Sequence, residues 1–218
     1  MRRTEPDSLT DAMVQGFFDR ANGLGGVAAA LDLYRDWAGV YDDTIERFGR
    51  YLSPDRIAEA VLRRCPDRSV PILDVACGTG LVGQALARRG FDRITGLDLS
   101  EPMLEEARGK GCYAALIAAD LTGPGVLDPC PVVVCAGGLT VGHRGAAAFE
   151  LMAGLVAKGG MIMADVEGGT FQTQGFAALL ERLRAEGVLT GFELEEGHFY
   201  QAAADEPGHG YFLTAWRD

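Results

Sequence analysis

The sequence predicts an α/β protein: a doubly wound sheet of mostly parallel strands, preceded by a helical segment. Three observations carry that reading. From about residue 70 to 166, short apolar runs alternate with helical stretches. The first of these runs feeds a glycine-rich turn, DVACGTGLVG (Asp74 to Gly83), where a strand would pass into a helix. The chain then closes on two strand-like runs with no helix between them, a pattern that pairs antiparallel.

The elements follow in order. Residues 1 to about 66 read as helical. Met13, Phe17 and Phe18 form a short apolar face, and Leu31, Tyr34, Trp37, Ala38 and Tyr41 recur at helical spacing. Ser53-Pro54 reads as a cap followed by proline at the first helical position, with Ile57, Ala60, Val61 and Leu62 as the buried side. VPILDV (Val70 to Val75) is the first strand, and GQALARRG is a helix ending at Gly90. RITGLDL (Arg93 to Leu99) is the second strand. Ser100 then caps EPMLEEARGKG, with Glu101 in its first turn and Gly109 near its end. CYAALIAAD (Cys112 to Asp120) and PVVVCA (Pro131 to Ala136) are the third and fourth strands. A helix from about Arg144 to Ala157 stops at Lys158-Gly159-Gly160, and MIMADV (Met161 to Val166) is the fifth strand. An amphipathic helix covers roughly Gln174 to Gly187, with Phe176, Leu179, Leu180 and Leu183 on one face. The last two runs, around Leu189 to Tyr200 and Tyr211 to Arg217, flank a polar turn at Asp205-Glu206-Pro207-Gly208. The expectation is a seven-stranded sheet with the terminal antiparallel pair inserted into it. A boundary near residue 66 divides a helical cap (1–66) from the sheet unit (67–218).

Composition narrows the function. A chain of 218 residues can bury a sizeable core without disulfides or metal. Thirty-one acidic against 20 basic residues give a net charge of -11, and no Lys/Arg run offers a basic face. That argues against DNA, RNA and anionic membranes as partners. No apolar run approaches a membrane span, and MRRTEPDSLTDAMVQGFF lacks the continuous apolar region of a signal peptide. The cysteines, Cys65, Cys77, Cys112, Cys130 and Cys135, are odd in number and contain no C-x-x-C. They read as reduced thiols of a cytoplasmic protein, with neither a disulfide frame nor zinc.

The glycine turn contains Gly78-Thr79-Gly80-Leu81-Val82-Gly83, which matches G-x-G-x-x-G letter for letter. Gly78 and Gly80 let the backbone turn sharply, and a helix N-terminus then faces an anion. A nicotinamide dinucleotide presents a pyrophosphate there; S-adenosylmethionine presents its methionine carboxylate. Asp74 is read as the discriminator. A carboxylate would repel a pyrophosphate but gain a charge-assisted bond to an α-ammonium group, directly or through water. Asp98 ends the second strand, where it can accept from ribose hydroxyls in either cofactor. Met103, one turn into the next helix, can pack on an adenine face or serve as core. Asp120 can accept from the adenine amine or cap a helix, and Leu121 can offer its backbone N–H to a ring nitrogen.

Taken together, ILDVACGTG, GLDLSEPMLEEAR, AADL and LVAKGG resemble the successive motifs of class I S-adenosylmethionine-dependent methyltransferases. The resemblance covers about residues 68 to 166, and the closing strand pair is similar to that family's antiparallel finish. It implies a Rossmann-like methyltransferase sheet with a helical lid, and S-adenosyl-L-methionine as cofactor, leaving as S-adenosyl-L-homocysteine. YRDWAGVYDD together with DVACGTGLVG also resembles the Williams–Beuren-region methyltransferase-like subgroup. The common first motif has glycine where this chain has Ala76. The cofactor residues expected are Asp74, Ala76, Cys77, Gly78, Gly80, Asp98, Leu99, Met103, Asp120 and Leu121. Cys77 reads as an apolar filler beside the loop or a lining of the adenosine pocket. Similar proteins cover the methionine moiety with an aromatic residue of the N-terminal segment. Tyr34, Trp37 and Tyr41 are therefore either lid or helix core, with Tyr34 and Tyr41 taken as lid.

His143, in GGLTVGH after the fourth strand, is the candidate general base. A solvent-facing histidine at a helix start is the competing reading. The segments expected to grip the acceptor, the N-terminal helices, Gly137 to His143 and Glu167 to Phe176, carry aromatics and glycine rather than basic clusters. That favours a small, partly apolar acceptor, and a homodimer is compatible with it. Two alternatives stand beside this reading: a methyltransferase-like protein that binds the cofactor without methyl transfer, and an NAD-dependent oxidoreductase.

Overall fold

The structure, a computed structural model, describes residues 10–121, 127–140, 145–201 and 209–218. Five N-terminal elements come first: α1 (Asp11–Asn22), α2 (Val27–Trp37), a 3₁₀ turn (Ala38–Val40), α3 (Tyr41–Gly49) and α4 (Ser53–Arg64). Thr10 caps α1, its hydroxyl accepting the Met13 N–H at 3.3 Å. The expected cap at Ser53 is not formed. Ser53 is the first helical residue, Leu52 stands at the cap with no side-chain bond, and the Ser53 hydroxyl is buried. The Leu52 N–H instead donates to the Phe199 carbonyl at 2.7 Å, tying the helix entrance to the chain's tail.

The alternation then runs as expected: β1 (Ile72–Val75), α5 (Leu81–Ala87), β2 (Ile94–Asp98), α6 (Glu101–Lys110), β3 (Ala115–Ala118), β4 (Cys130–Cys135), α7 (Gly145–Leu155) and β5 (Val156–Glu167). α8 (Gly168–Thr173), α9 (Phe176–Ala185), β6 (Gly191–His198) and β7 (His209–Trp216) complete the chain. The seven strands form one sheet in the order β3-β2-β1-β4-β5-β7-β6. β1 to β5 pair in parallel, while β7 lies antiparallel between β5 and β6. The terminal pair thus extends the sheet beyond β5 rather than being inserted as a unit: β7 lies between β5 and the edge strand β6, and is the strand that runs against the rest.

Three local boundaries differ from the sequence expectation. α6 is closed by Gly111, at φ +64°, rather than by Gly109. α7 ends at Leu155, and the Lys158-Gly159-Gly160 stretch is an irregular part of β5: its pairing with β4 shifts between Val156 and Met161. α8 lies in a stretch to which the sequence assigns no element. The Glu167 carboxylate nucleates it by accepting the Gly169 and Thr170 N–H groups, each at 2.8 Å.

Strand alternation sorts the core into two faces. Leu73, Val75, Val133, Cys135, Ile162 and Ala164 pack with Phe149, Met152, Phe176 and Leu180 of α7 and α9. Ile72, Val132, Val134, Met161 and Met163 pack with Ile57 and Val61 of α4 and with Val82 and Leu86 of α5. Each large side chain so buried contributes about 1.5–3 kcal/mol. Asp74 and Asp165 share the parity of this second face. A third cluster, Leu33, Trp37, Ile45 and Met103, joins α2 and α3 to α6.

Candidate functional site

Strand order reverses between β1 and its neighbours β2 and β4, and a doubly wound sheet opens its crevice at such a point, beyond the carboxyl ends of the strands. A cavity of about 210 Å³ lies there. Ala76 and Gly78 line it from the turn after β1, Asp98 and Leu99 from the end of β2, and Met103 from α6. Asp120 and Leu121 follow β3, Gly137 and Gly138 follow β4, and Tyr34 and Tyr41 reach in from the N-terminal helices. Nine of the expected residues therefore meet in one place: Tyr34, Tyr41, Ala76, Gly78, Asp98, Leu99, Met103, Asp120 and Leu121. Asp74, Cys77 and Gly80 do not line the cavity, and His143 lies outside the described residues. A wider groove of about 610 Å³ runs between α4 and the β6–β7 pair, away from the glycine turn. Its charges are matched across it, Arg64 to Glu193 at 2.8 Å and Arg56 to Glu195 at 3.3 Å.

The turn after β1 owes its shape to glycine and to Asp98. Gly78 stands at φ +54° and Gly80 at φ +92°. A Cβ on Gly80 would meet the Tyr113 ring at 2.9 Å, whereas one on Gly78 would point into open space. Asp98 Oδ2 accepts the Gly78 N–H and Oδ1 the Ser100 N–H, both at 2.8 Å. Burial raises its pKa. Each oxygen keeps a lone pair for a ligand at the cavity wall. Ala76, where the resembling motif has glycine, is held at φ +54°. That conformation costs an L-residue about 1–2 kcal/mol, a strain placed at the cavity wall.

Asp74 requires a correction. Its parity turns the side chain under α5, where it is fully buried, and Oδ2 accepts from the Tyr113 hydroxyl at 2.6 Å. Burial pushes its pKa up to about 7. The carboxylate does not face the cavity, so it does not sort ammonium from pyrophosphate by direct contact. Oδ1 is buried without a hydrogen-bond partner among the described residues. Asp74 anchors Tyr113, which fills a notch left by Gly80, Gly83 and Gly96 beneath the turn. Cys77 packs in the same notch, its Sγ 2.9 Å from where a Cβ on Gly96 would stand, and burial raises its pKa. It is the apolar filler rather than a cavity lining.

Of the N-terminal aromatics, Trp37 is core: it is 2% exposed and stacks on Phe17 at 5.0 Å. Met103 serves both readings, packed in the cluster with Trp37 and lining the cavity. Two constellations escaped the sequence reading. Lys110 Nζ donates to Asp42 Oδ2 and to the Thr79 carbonyl, both at 2.6 Å, and the Thr79 hydroxyl donates to Asp42 Oδ1 at 2.6 Å. This clasp ties α3 to the glycine turn and to α6. The second is Asp165 with Tyr51, beside Gly137. The signal for both was a polar residue inside an otherwise apolar or helical run, with a partner too distant in sequence to be paired by spacing.

A crevice at a topological switch point, entered by a strained glycine turn and walled by acids at strand ends, is the cofactor-binding frame of a Rossmann-like methyltransferase fold. Residues 72–160 match the family model described as a methyltransferase domain. The chain is 38% identical to human methyltransferase-like protein 27 over 119 residues, 53% of this chain and 47% of that protein. It thus spans about half the length of that curated relative. Among solved structures, it is similar to magnesium protoporphyrin IX methyltransferase from Synechocystis PCC 6803 with bound S-adenosylmethionine. That match has a TM-score of 0.59, 17% identity, and covers 94% of this chain and 91% of that one. A TehB-like S-adenosylmethionine-dependent methyltransferase from Corynebacterium glutamicum matches with a TM-score of 0.60 at 18% identity, over 85% of this chain and 98% of that one. The seven-stranded Rossmann-like methyltransferase fold is therefore shared.

Proposed function

We propose that this chain is an S-adenosylmethionine-dependent methyltransferase acting on a small molecule. The observation that carries the reading is the convergence of Gly78, Asp98, Met103 and Asp120 on one cavity at the switch point. The match of residues 72–160 to a methyltransferase domain supports it, as do structural neighbours solved with S-adenosylmethionine and S-adenosylhomocysteine. When bound, the cofactor supplies an electrophilic methyl group on a sulfonium, for in-line transfer to a nucleophile. Gly78 gives close backbone approach on the methionine side, with Tyr34 and Tyr41 as its cover. Asp98 holds the ribose hydroxyls, Met103 and Leu99 flank the adenine, and Asp120 with the Leu121 N–H reads its edge. The buried, unpartnered Asp74 Oδ1 beneath the turn suits a cationic amine reached through water better than paired phosphates. His143 remains the candidate base on the acceptor side.

In this reading the helical segment 1–66 serves as cap and 67–218 as the cofactor-binding unit. The resemblance of the YRDWAGVYDD and DVACGTGLVG stretches supports kinship with the Williams–Beuren-region methyltransferase-like subgroup. Alignment of the acceptor inside a dry cavity supplies much of the rate, with effective molarities on the order of 10⁵ M in good cases. The test is S-adenosylhomocysteine release by the purified protein across a panel of small amines, alcohols, phenols and carboxylic acids. Turnover of at least one class supports the proposal. Cofactor binding with no turnover of any class would favour the non-catalytic alternative.

A further inference from the structure

Behind Gly137, which lines the cavity, lies a cluster of side chains that do not themselves line it. Asp165, near the end of β5, is 2% exposed. Its Oδ1 accepts the Gly137 N–H at 2.7 Å and its Oδ2 accepts from the Tyr51 hydroxyl at 3.2 Å. Gly137 lines the cavity, and the Tyr51 hydroxyl lies 3.0 Å from where a Cβ on Gly137 would stand. Tyr51 stacks on Tyr200 with ring centroids 5.1 Å apart, and the two residues are also joined by an antiparallel bridge. Tyr34 and Tyr41 stand on the cavity wall itself. A phenol oxygen and a stacked pair of rings therefore stand beside one carboxylate, behind the Gly137 wall of the cavity.

Among the described residues no Arg or Lys pairs with Asp165, whose hydrogen bonds come from Gly137 and Tyr51. Burial accordingly raises the pKa of Asp165. An anionic acceptor placed there would be repelled by the carboxylate. A neutral alcohol would leave the carboxylate uncompensated. An organic cation would satisfy both features, the carboxylate by charge and the rings by cation–π contact.

We infer that Tyr51, Tyr200 and Asp165 form the acceptor subsite and that the acceptor is an organic amine, bound there in cationic form; one N–H proton leaves to solvent, and the lone pair so freed forms the new N–C bond as the methyl–sulfur bond breaks and S-adenosylhomocysteine departs. Tyr51 faces the amine, and Asp165 acts from behind it as the positioning countercharge. The inference rests on the methyltransferase reading above.

The test is calorimetric. Wild-type protein saturated with S-adenosylhomocysteine is titrated with benzyltrimethylammonium, whose quaternary head stands for a methylated amine. Phenylacetate, with the same ring and the opposite charge, is the control. The expected result is binding of the ammonium at least about tenfold tighter than phenylacetate, and a loss of about tenfold or more in Asp165→Asn. Tyr51→Phe should lose a smaller factor, and both variants should keep their S-adenosylhomocysteine affinity and unfolding midpoint. Should Asp165→Asn fail to fold, wild-type selectivity and Tyr51→Phe carry the decision. Phenylacetate binding as tightly as the ammonium, no ammonium binding, or ammonium binding indifferent to both folded variants would overturn the assignment. Failure of S-adenosylhomocysteine itself to bind would instead bring down the methyltransferase reading, and this inference with it.

Discussion

Asp98 holds the glycine turn and faces the ligand space at once. Its two oxygens take the Gly78 and Ser100 N–H groups, and a charged acceptor in such a bond contributes about 1.5–3 kcal/mol. Asp98→Ala should therefore weaken S-adenosylmethionine binding by about tenfold or more, measured by calorimetry, because the hold on the turn and the proposed ribose contact are both lost. Asp74 acts differently, through folding. Its pKa in the folded protein is about 7, above that of an unfolded aspartate near 4. The folded state then holds a proton that the unfolded chain releases between these values. The stability due to this group is fully present below about pH 4 and is lost as pH rises through about 7. Chemical denaturation of wild type and Asp74→Asn between pH 4 and 8 should show the wild type losing ground to the variant as pH rises. A constant difference would show that Asp74 does not titrate in that window.

The elements explain what could and could not be read from the chain. Strands β1, β2, β4 and β5 announce themselves because each is an apolar run between turn residues, and their alternation dictates a parallel sheet. The glycine turn was legible because positive φ angles demand glycine at Gly78 and Gly80. For Asp74 the direct contact fails on geometry: sequence places it next to the turn, but strand parity aims it into the layer under α5, where Oδ2 accepts from the Tyr113 hydroxyl. The α3 clasp was invisible because Asp42, Thr79 and Lys110 come from three elements, and nothing in their spacing pairs them. It predicts its own phenotype. Lys110 is largely buried where it meets Asp42, at 13% side-chain exposure, so the pair should count for more than a surface ion pair. Asp42→Ala should loosen α3 from the turn and raise the KM for S-adenosylmethionine several-fold, while kcat at saturation changes little. A fall in kcat with KM unchanged would show that the clasp does not govern cofactor entry.

At the scale of the whole molecule, the cavity lies where the strand order reverses, and Tyr34 and Tyr41 of the N-terminal helices line it; the proposed function puts the cofactor there. Among the described residues no helix is long and apolar enough to cross a membrane, and no group of three metal-ligating side chains assembles. The surplus of acidic residues gives the surface a net negative charge. The reading of the cavity turns on which adenosine compound it accepts, since the letter-for-letter G-x-G-x-x-G match would also suit a nicotinamide dinucleotide. Titration of the purified protein with S-adenosylhomocysteine and, separately, with NAD decides it most directly. The account predicts saturable binding of one S-adenosylhomocysteine per chain and none of NAD. Binding of NAD with no response to S-adenosylhomocysteine would contradict it.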